Sequence, residues 1–334
     1  MDTVPIAFCE HVCDVLRKNG LSEMKKLSGK FGKCARFVCR HRACYISTVR
    51  NDAEEGVLFY KGRELNTPEE IEAFNKKLVR DVHIDLHDGM DKNVSRALVK
   101  RFPYAIFHFL LHTESTNEAW IDFVCSLKWL GQIKIGEDLD SHAASLFKQL
   151  VGRRKLSELE MEEDACKGGT LEALKVLLCQ DQFEELTIST ECDPWGTNIM
   201  SEILQLWAED SKKLRGKSVV LQESCKSGVK QIKKFLLRRV KSQDINGDRA
   251  VRRLQDVLKI CKKKERKFID KEYPRCRCTF SRSSRCVYKY EEGEGDERRR
   301  IYFGFDAIGL VTHSEPIDLG LMMKKSFIVH VLFL

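Results

Sequence analysis

No apolar run in the 334-residue chain approaches the ~18 residues that a bilayer-spanning helix needs. The closing stretch from Phe327 to Leu334 is apolar but short, and His330 interrupts it. Met1 is followed by Asp2, and no basic run leads into an apolar leader core. The 14 scattered cysteines are therefore expected as reduced thiols in the cytosol or nucleus, with no membrane partner. The usual catalytic spacings are missing too. There is no His-Glu-x-x-His, no Gly-x-Ser-x-Gly and no dinucleotide-binding glycine fingerprint. Gly216-Lys217-Ser218 is half of a phosphate loop, but Ser211 stands where the upstream glycine belongs. No enzyme activity and no cofactor are expected.

Metal ligands at workable spacing are also scarce. Cys34, Cys39, His41 and Cys44 share a stretch, but at ~100° per helical residue Cys39 points away from the others. Cys276, Cys278 and Cys286 supply three ligands without a fourth. Buried or surface thiols are the preferred reading of both groups, and no metal is expected.

What remains is an ordinary folded composition, 43% hydrophobic and 32% charged. The net charge of +8 is uneven: Ser211 to Asp270 holds 20 basic and 6 acidic residues. Sequence-independent nucleic-acid binding through 212–267 is thus an alternative function, although few aromatics interleave there.

The chain divides into five zones. Residues 1–44 read as short helices. Residues 45–77 read as a hairpin and a helix start, with Pro68 at the first helical position. Residues 241–305 hold one long basic helix over 249–272 and then a hairpin. Residues 306–334 have no repeat period and are expected to be poorly ordered. Between them, 78–240 carries a repeat. The pattern apolar-x-x-apolar-x-apolar appears as Val79-x-x-Val82-x-Ile84, Tyr104-x-x-Phe107-x-Phe109 and Leu130-x-x-Ile133-x-Ile135. Leu156-x-x-Leu159-x-Met161, Phe183-x-x-Leu186-x-Ile188 and a looser Gly216-x-x-Val219-x-Leu221 continue it. The last positions step by 25, 26, 26, 27 and 33 residues, with amphipathic helical stretches between.

This strand half resembles leucine-rich repeats, without the asparagine ladder of that family. The resemblance implies a strand–helix solenoid with parallel strands. A layered α/β domain with a parallel sheet is the alternative. Either way the fold class is α/β.

Residues between the apolar positions point away from the helices. They are His83 and Asp85, His108 and Leu110, Lys134 and Gly136, Glu158 and Glu160, then Glu185 and Thr187. His83 and His108, like His87 and His112, lie one repeat step of 25 apart. This row is the expected capture surface for a protein substrate, with His83, Asp85, His108, Leu110, Lys134, Glu160 and Thr187 as its candidates. Histidines there would make capture sensitive to pH.

The opening stretch begins Val4-Pro5. Phe8, Val12, Val15 and Leu16 follow at helical spacing, and Leu21, Met24 and Leu27 form a second set before Phe31. The stretch resembles an F-box, with Val4-Pro5 in place of the Leu-Pro pair and Phe31 in place of the tryptophan. With the repeats behind it, the chain resembles the divergent F-box-like proteins expanded in nematodes. The resemblance implies a substrate-recognition subunit of a Skp–cullin–F-box ubiquitin ligase. It assigns docking on the Skp-type adaptor to Pro5, Phe8, Val12, Leu16, Leu21, Met24, Leu27 and Phe31. A stand-alone interaction scaffold is the further alternative.

Overall fold

A computed structural model describes residues 4–16, 18–50, 53–87, 92–112, 117–136, 139–190, 193–239, 248–273, 287–307 and 319–334. Two compact units divide the chain, Met1–Lys134 and Ile135–Leu334. Each is α/β.

The first unit opens with α1 (Ile6–Val15), α2 (Lys18–Met24) and α3 (Gly29–Arg40). Strands β1 (Ala43–Arg50), β2 (Ala53–Tyr60) and β3 (Arg63–Leu65) follow, then α4 (Pro68–Ala73). After β4 (Val79–Leu86) come α5 (Lys92–Arg101), β5 (Ile106–Leu111), α6 (Glu118–Ser126) and β6 (Leu130–Ile135), at whose end the units meet in sequence. The strand order in this unit is β6-β5-β4-β1-β2-β3. The expected hairpin is present, since β1 pairs antiparallel with β2. Its first strand also pairs parallel with β4, so the hairpin is part of the sheet rather than a linker beside it.

Alternation decides which face is covered. Along β4, Val82, Ile84 and Leu86 are buried while His83 is exposed and Asp85 half-buried. On the covered face Phe109 of β5 meets Trp120 of α6 edge-on, with ring centres 5.7 Å apart. Asn117 starts α6 by accepting a hydrogen bond from the Trp120 N–H at 2.9 Å.

The second unit continues with α7 (Ser141–Gly152), β7 (Glu158–Glu162), α8 (Gly168–Leu178), β8 (Glu185–Thr190), α9 (Ile199–Glu209), β9 (Ser218–Glu223) and α10 (Lys226–Arg239). Strands β7, β8 and β9 are parallel neighbours. Each helix from α7 to α10 packs on the next, so the helices form one layer. Then come α11 (Asp248–Val257), β10 (Lys259–Ile260), α12 (Lys263–Glu272), β11 (Val287–Glu292), β12 (Arg299–Ala307), α13 (Leu319–Lys325) and β13 (Ser326–Phe333). The order here is β7-β8-β9-β13-β12-β11-β10, antiparallel from β9 onward.

Three expectations need correction. The basic helix over 249–272 is two helices. Between them the chain extends, and the Cys261 N–H donates to the Val287 carbonyl at 2.9 Å. A new helix then starts, with the Glu265 carboxylate accepting from the Lys262 N–H at 2.9 Å. Of the tail 306–334, residues 308–318 lie outside the described residues, but 319–334 are ordered: β13 fills the place between β9 and β12, with Val329, Val331, Leu332 and Phe333 fully buried. Thr187, expected on an open face, is 3% exposed. Its short side chain sits in register between Glu160 and Val220, which leave it little access to water.

No helix among the described residues is long and apolar enough to cross a membrane.

Candidate docking module and histidine face

The three opening helices close on a small core of their own. Cys9, Cys13, Leu21, Cys34, Ala35 and Val38 are buried together, and Val4, Leu16, Met24 and Phe31 pack partly against them. Burial, and next the Cys34 sulfur, push the Cys13 thiol up to about 11, so it stays protonated. Arg36 donates to the Lys25 and Leu27 carbonyls at 2.8 and 3.1 Å and ties α2 to α3. Gly32 is required at the same turn, because a Cβ there would lie 1.8 Å from the Leu27 carbonyl oxygen. Arg80, 4% exposed at the start of β4, donates to the Asp14 carbonyl at 2.9 Å and pairs with the Asp14 carboxylate. The module is thereby anchored to the sheet of its own unit.

These positions sort the candidate docking residues. Pro5, Phe8 and Leu27 are exposed, and Val12 is half-buried. Leu16, Met24 and Phe31 are shared between core and surface. Leu21 faces the core and cannot dock while the module is folded, because the second helix needs it to close on α1 and α3. Ile6 and Phe37, passed over in the sequence, are each more than half exposed, as are Phe8 and Leu27. The module's buried core closes without them. Phe8 also meets Phe31 edge-on, ring centres 6.4 Å apart, which joins the surfaces of α1 and α3.

Cys34, Cys39, His41 and Cys44 do not converge. Cys34 lies in the module core, Cys39 is exposed, and His41 stacks on Phe37 while its Nδ1 meets the Tyr60 hydroxyl at 2.7 Å. Cys276, Cys278 and Cys286 lie outside the described residues.

The open face of β4 and β5 carries two stacked histidine pairs. His83 and His108 are in register, their rings 4.4 Å apart and 9° from parallel. His87 and His112, just past the strand ends, stack at 4.2 Å and 14°. The Gln132 N–H donates to His108 Nδ1 at 3.1 Å, which places the His108 proton on Nε2, 3.8 Å from Asp81. Gly131 makes room for that ring, since a Cβ there would lie 2.6 Å from His108 Cε1. Arg42 pairs with Asp81 through both carboxylate oxygens. Burial opposes the Asp81 charge, but His108 and Arg42 outweigh it and hold the carboxyl down at about 2. Although His83 keeps access to solvent, the groups packed around its ring partly desolvate it, and this, and next the neighbouring His108, lowers its pKa. Asp85 lies between the outer pair, 3.1 Å from His87 Nε2 and 3.0 Å from His112 Nε2. Leu110 and Lys134 are half-buried in this unit, and Glu158, Glu160 and Glu185 are half-buried in the other.

Arg42 and Asp81 were missed in the sequence, because their pairing joins β1 to β4 across 39 residues. The truncated phosphate loop has another use. Lys217 is 6% exposed and donates to the carbonyls of Gln180, Asp181 and Phe183 at 2.7, 3.0 and 2.6 Å.

No family model matches this chain. No curated protein matches it either. The geometry of the module and of the histidine face is therefore what bears on function.

Proposed function

We propose that the chain is a protein-interaction adaptor of the F-box type. Its helical module docks a Skp-type adaptor of a cullin ubiquitin ligase, and its repeat-bearing α/β part, resembling leucine-rich repeats, holds a protein substrate. One observation carries the reading. The module has a closed core of its own, yet Ile6, Phe8, Leu27 and Phe37 stay exposed on it. Large apolar side chains left in water on a small anchored module favour burial against a partner. Eight basic and three acidic residues between Val4 and His41 favour an acidic rim on that partner. Ubiquitin transfer would then follow from proximity, with the chemistry supplied by the ligase.

The test is co-purification and biolayer interferometry with a purified Skp-type adaptor. Phe8→Asp with Leu27→Asp changes only exposed positions, so the fold is retained while docking is lost. Binding that survives this double change, or a wild-type chain that captures no adaptor, overturns the proposal. The second outcome favours a stand-alone scaffold.

A second reading has one observation behind it. On α12, Phe268 is half exposed beside Lys264 and Lys267, and its ring meets Tyr273 at 6.4 Å. An aromatic among lysines fits a base-stacking contact to single-stranded nucleic acid. Binding with a steep salt dependence that Phe268→Ala weakens would support it.

A further inference from the structure

We infer that Asp85, His87 and His112 form a binding site for a divalent transition-metal ion of the zinc type. The ligand atoms of the three residues all lie within 4.8 Å of one another. They come from the same end of two neighbouring parallel strands, the carboxyl end, where open α/β sheets place their ligand sites. The backbone is held on both sides. The His87 N–H donates to the Val49 carbonyl at 3.2 Å, and the His112 N–H to the Leu86 carbonyl at 3.3 Å. Because the two rings stack nearly parallel, both present Nε2 to the same carboxylate.

The donor set selects the ion. Two imidazoles and one carboxylate suit zinc, cobalt, nickel or copper, whereas magnesium and calcium prefer oxygen throughout. An ion would take the place of the Nε2 protons now shared with Asp85. Ligands on a tetrahedral ion lie about 3.3 Å apart, so Asp85 already has ligand spacing to both nitrogens, and the two rings would turn to bring their Nε2 atoms together. Three protein ligands leave a coordination position for water or for a donor group on a bound partner. The inner pair is excluded from the set. His108 has Nδ1 committed to the Gln132 N–H, and its Nε2 faces the Asp81–Arg42 pair.

The experiment is a titration of the dialysed full-length chain with Co²⁺, followed by absorption, with Zn²⁺ added as competitor. The expected result is one ion per chain, with the weak visible bands of nitrogen and oxygen ligands and no intense thiolate band. His87→Ala and His112→Ala each weaken binding by about tenfold or more, and binding falls as pH drops through the imidazole range. His83→Ala leaves it unchanged. Asp85→Asn keeps the side-chain shape and also weakens binding, so it decides the matter if an alanine variant fails to fold. The inference is overturned if no stoichiometric Co²⁺ binds. It is equally overturned if a thiolate-type spectrum persists in the histidine variants, or if Asp85→Asn and both alanine variants bind as the wild type does.

Discussion

Replacing Lys217 by methionine tests the second unit at a buried polar contact. The ammonium satisfies three backbone carbonyls in the segment from Gln180 to Phe183, just before β8. Burial pulls its pKa below the ordinary lysine value, yet three carbonyl acceptors require the charged form at neutral pH. Methionine fills similar space and donates nothing. The Gln180 carbonyl keeps the Phe183 N–H at 3.1 Å, so two carbonyls lose their donor, at about 1–2 kcal/mol each or about 2–4 kcal/mol together. Sparing the dehydration of an ammonium offsets part of that, which leaves about 2 kcal/mol of destabilisation. For a unit of this size the melting temperature should fall by about 4–8 °C. Differential scanning calorimetry of the full chain reads the shift. Amide exchange at Asp181–Phe183 should accelerate with it. A shift under about 2 °C would refute the claim that Lys217 holds this turn and would reopen a ligand role for it.

Other expected outcomes follow from single contacts. His330 lies in β13, where burial pulls its pKa from 6.5 to about 4. The unfolded chain then takes up the proton first, so stability is complete above the ordinary value and is lost as pH falls toward about 4, by on the order of 3 kcal/mol. His330→Phe should flatten that loss in urea melts at stepped pH. Arg80→Met breaks the anchor to Asp14 and should cost about 3 kcal/mol, with hydrogen exchange in α1 accelerating before that in β4. Gly131→Ala drives a methyl into the His108 ring and should cost about 1–3 kcal/mol while shifting the His83 and His108 ring resonances by NMR.

The parallel strands were legible because each buries one face under a helix. That demand writes the same apolar spacing at each step, and β4 through β9 all lie on the expected segments. The stacked histidines were legible for the same reason, since a separation equal to the repeat step puts residues side by side in register. What escaped notice depends on distant partners. β13 is buried on both faces from Val331 to Phe333, so its apolar run shows no alternation there, and its neighbours β9 and β12 lie elsewhere in the chain. Leu254, Leu258 and Cys261 keep helical spacing, and only the pairing of β10 with β11 shows that the helix stops. Leu21 looked equivalent to Phe8 and Leu27 in an apolar series. Three helices of fixed length leave one of them inside and two outside.

The position of β13 sets an order of events during synthesis. β12 reaches the parallel strands of its unit only through β13, which pairs Val329 with Leu221 on one side and with Phe305 on the other. Until Ser326–Phe333 leaves the ribosome, β9 and β12 each present an open, apolar edge. The nascent chain is therefore exposed to edge-to-edge association from the emergence of β9 until β13 pairs with it, and β13 is the strand that closes both edges.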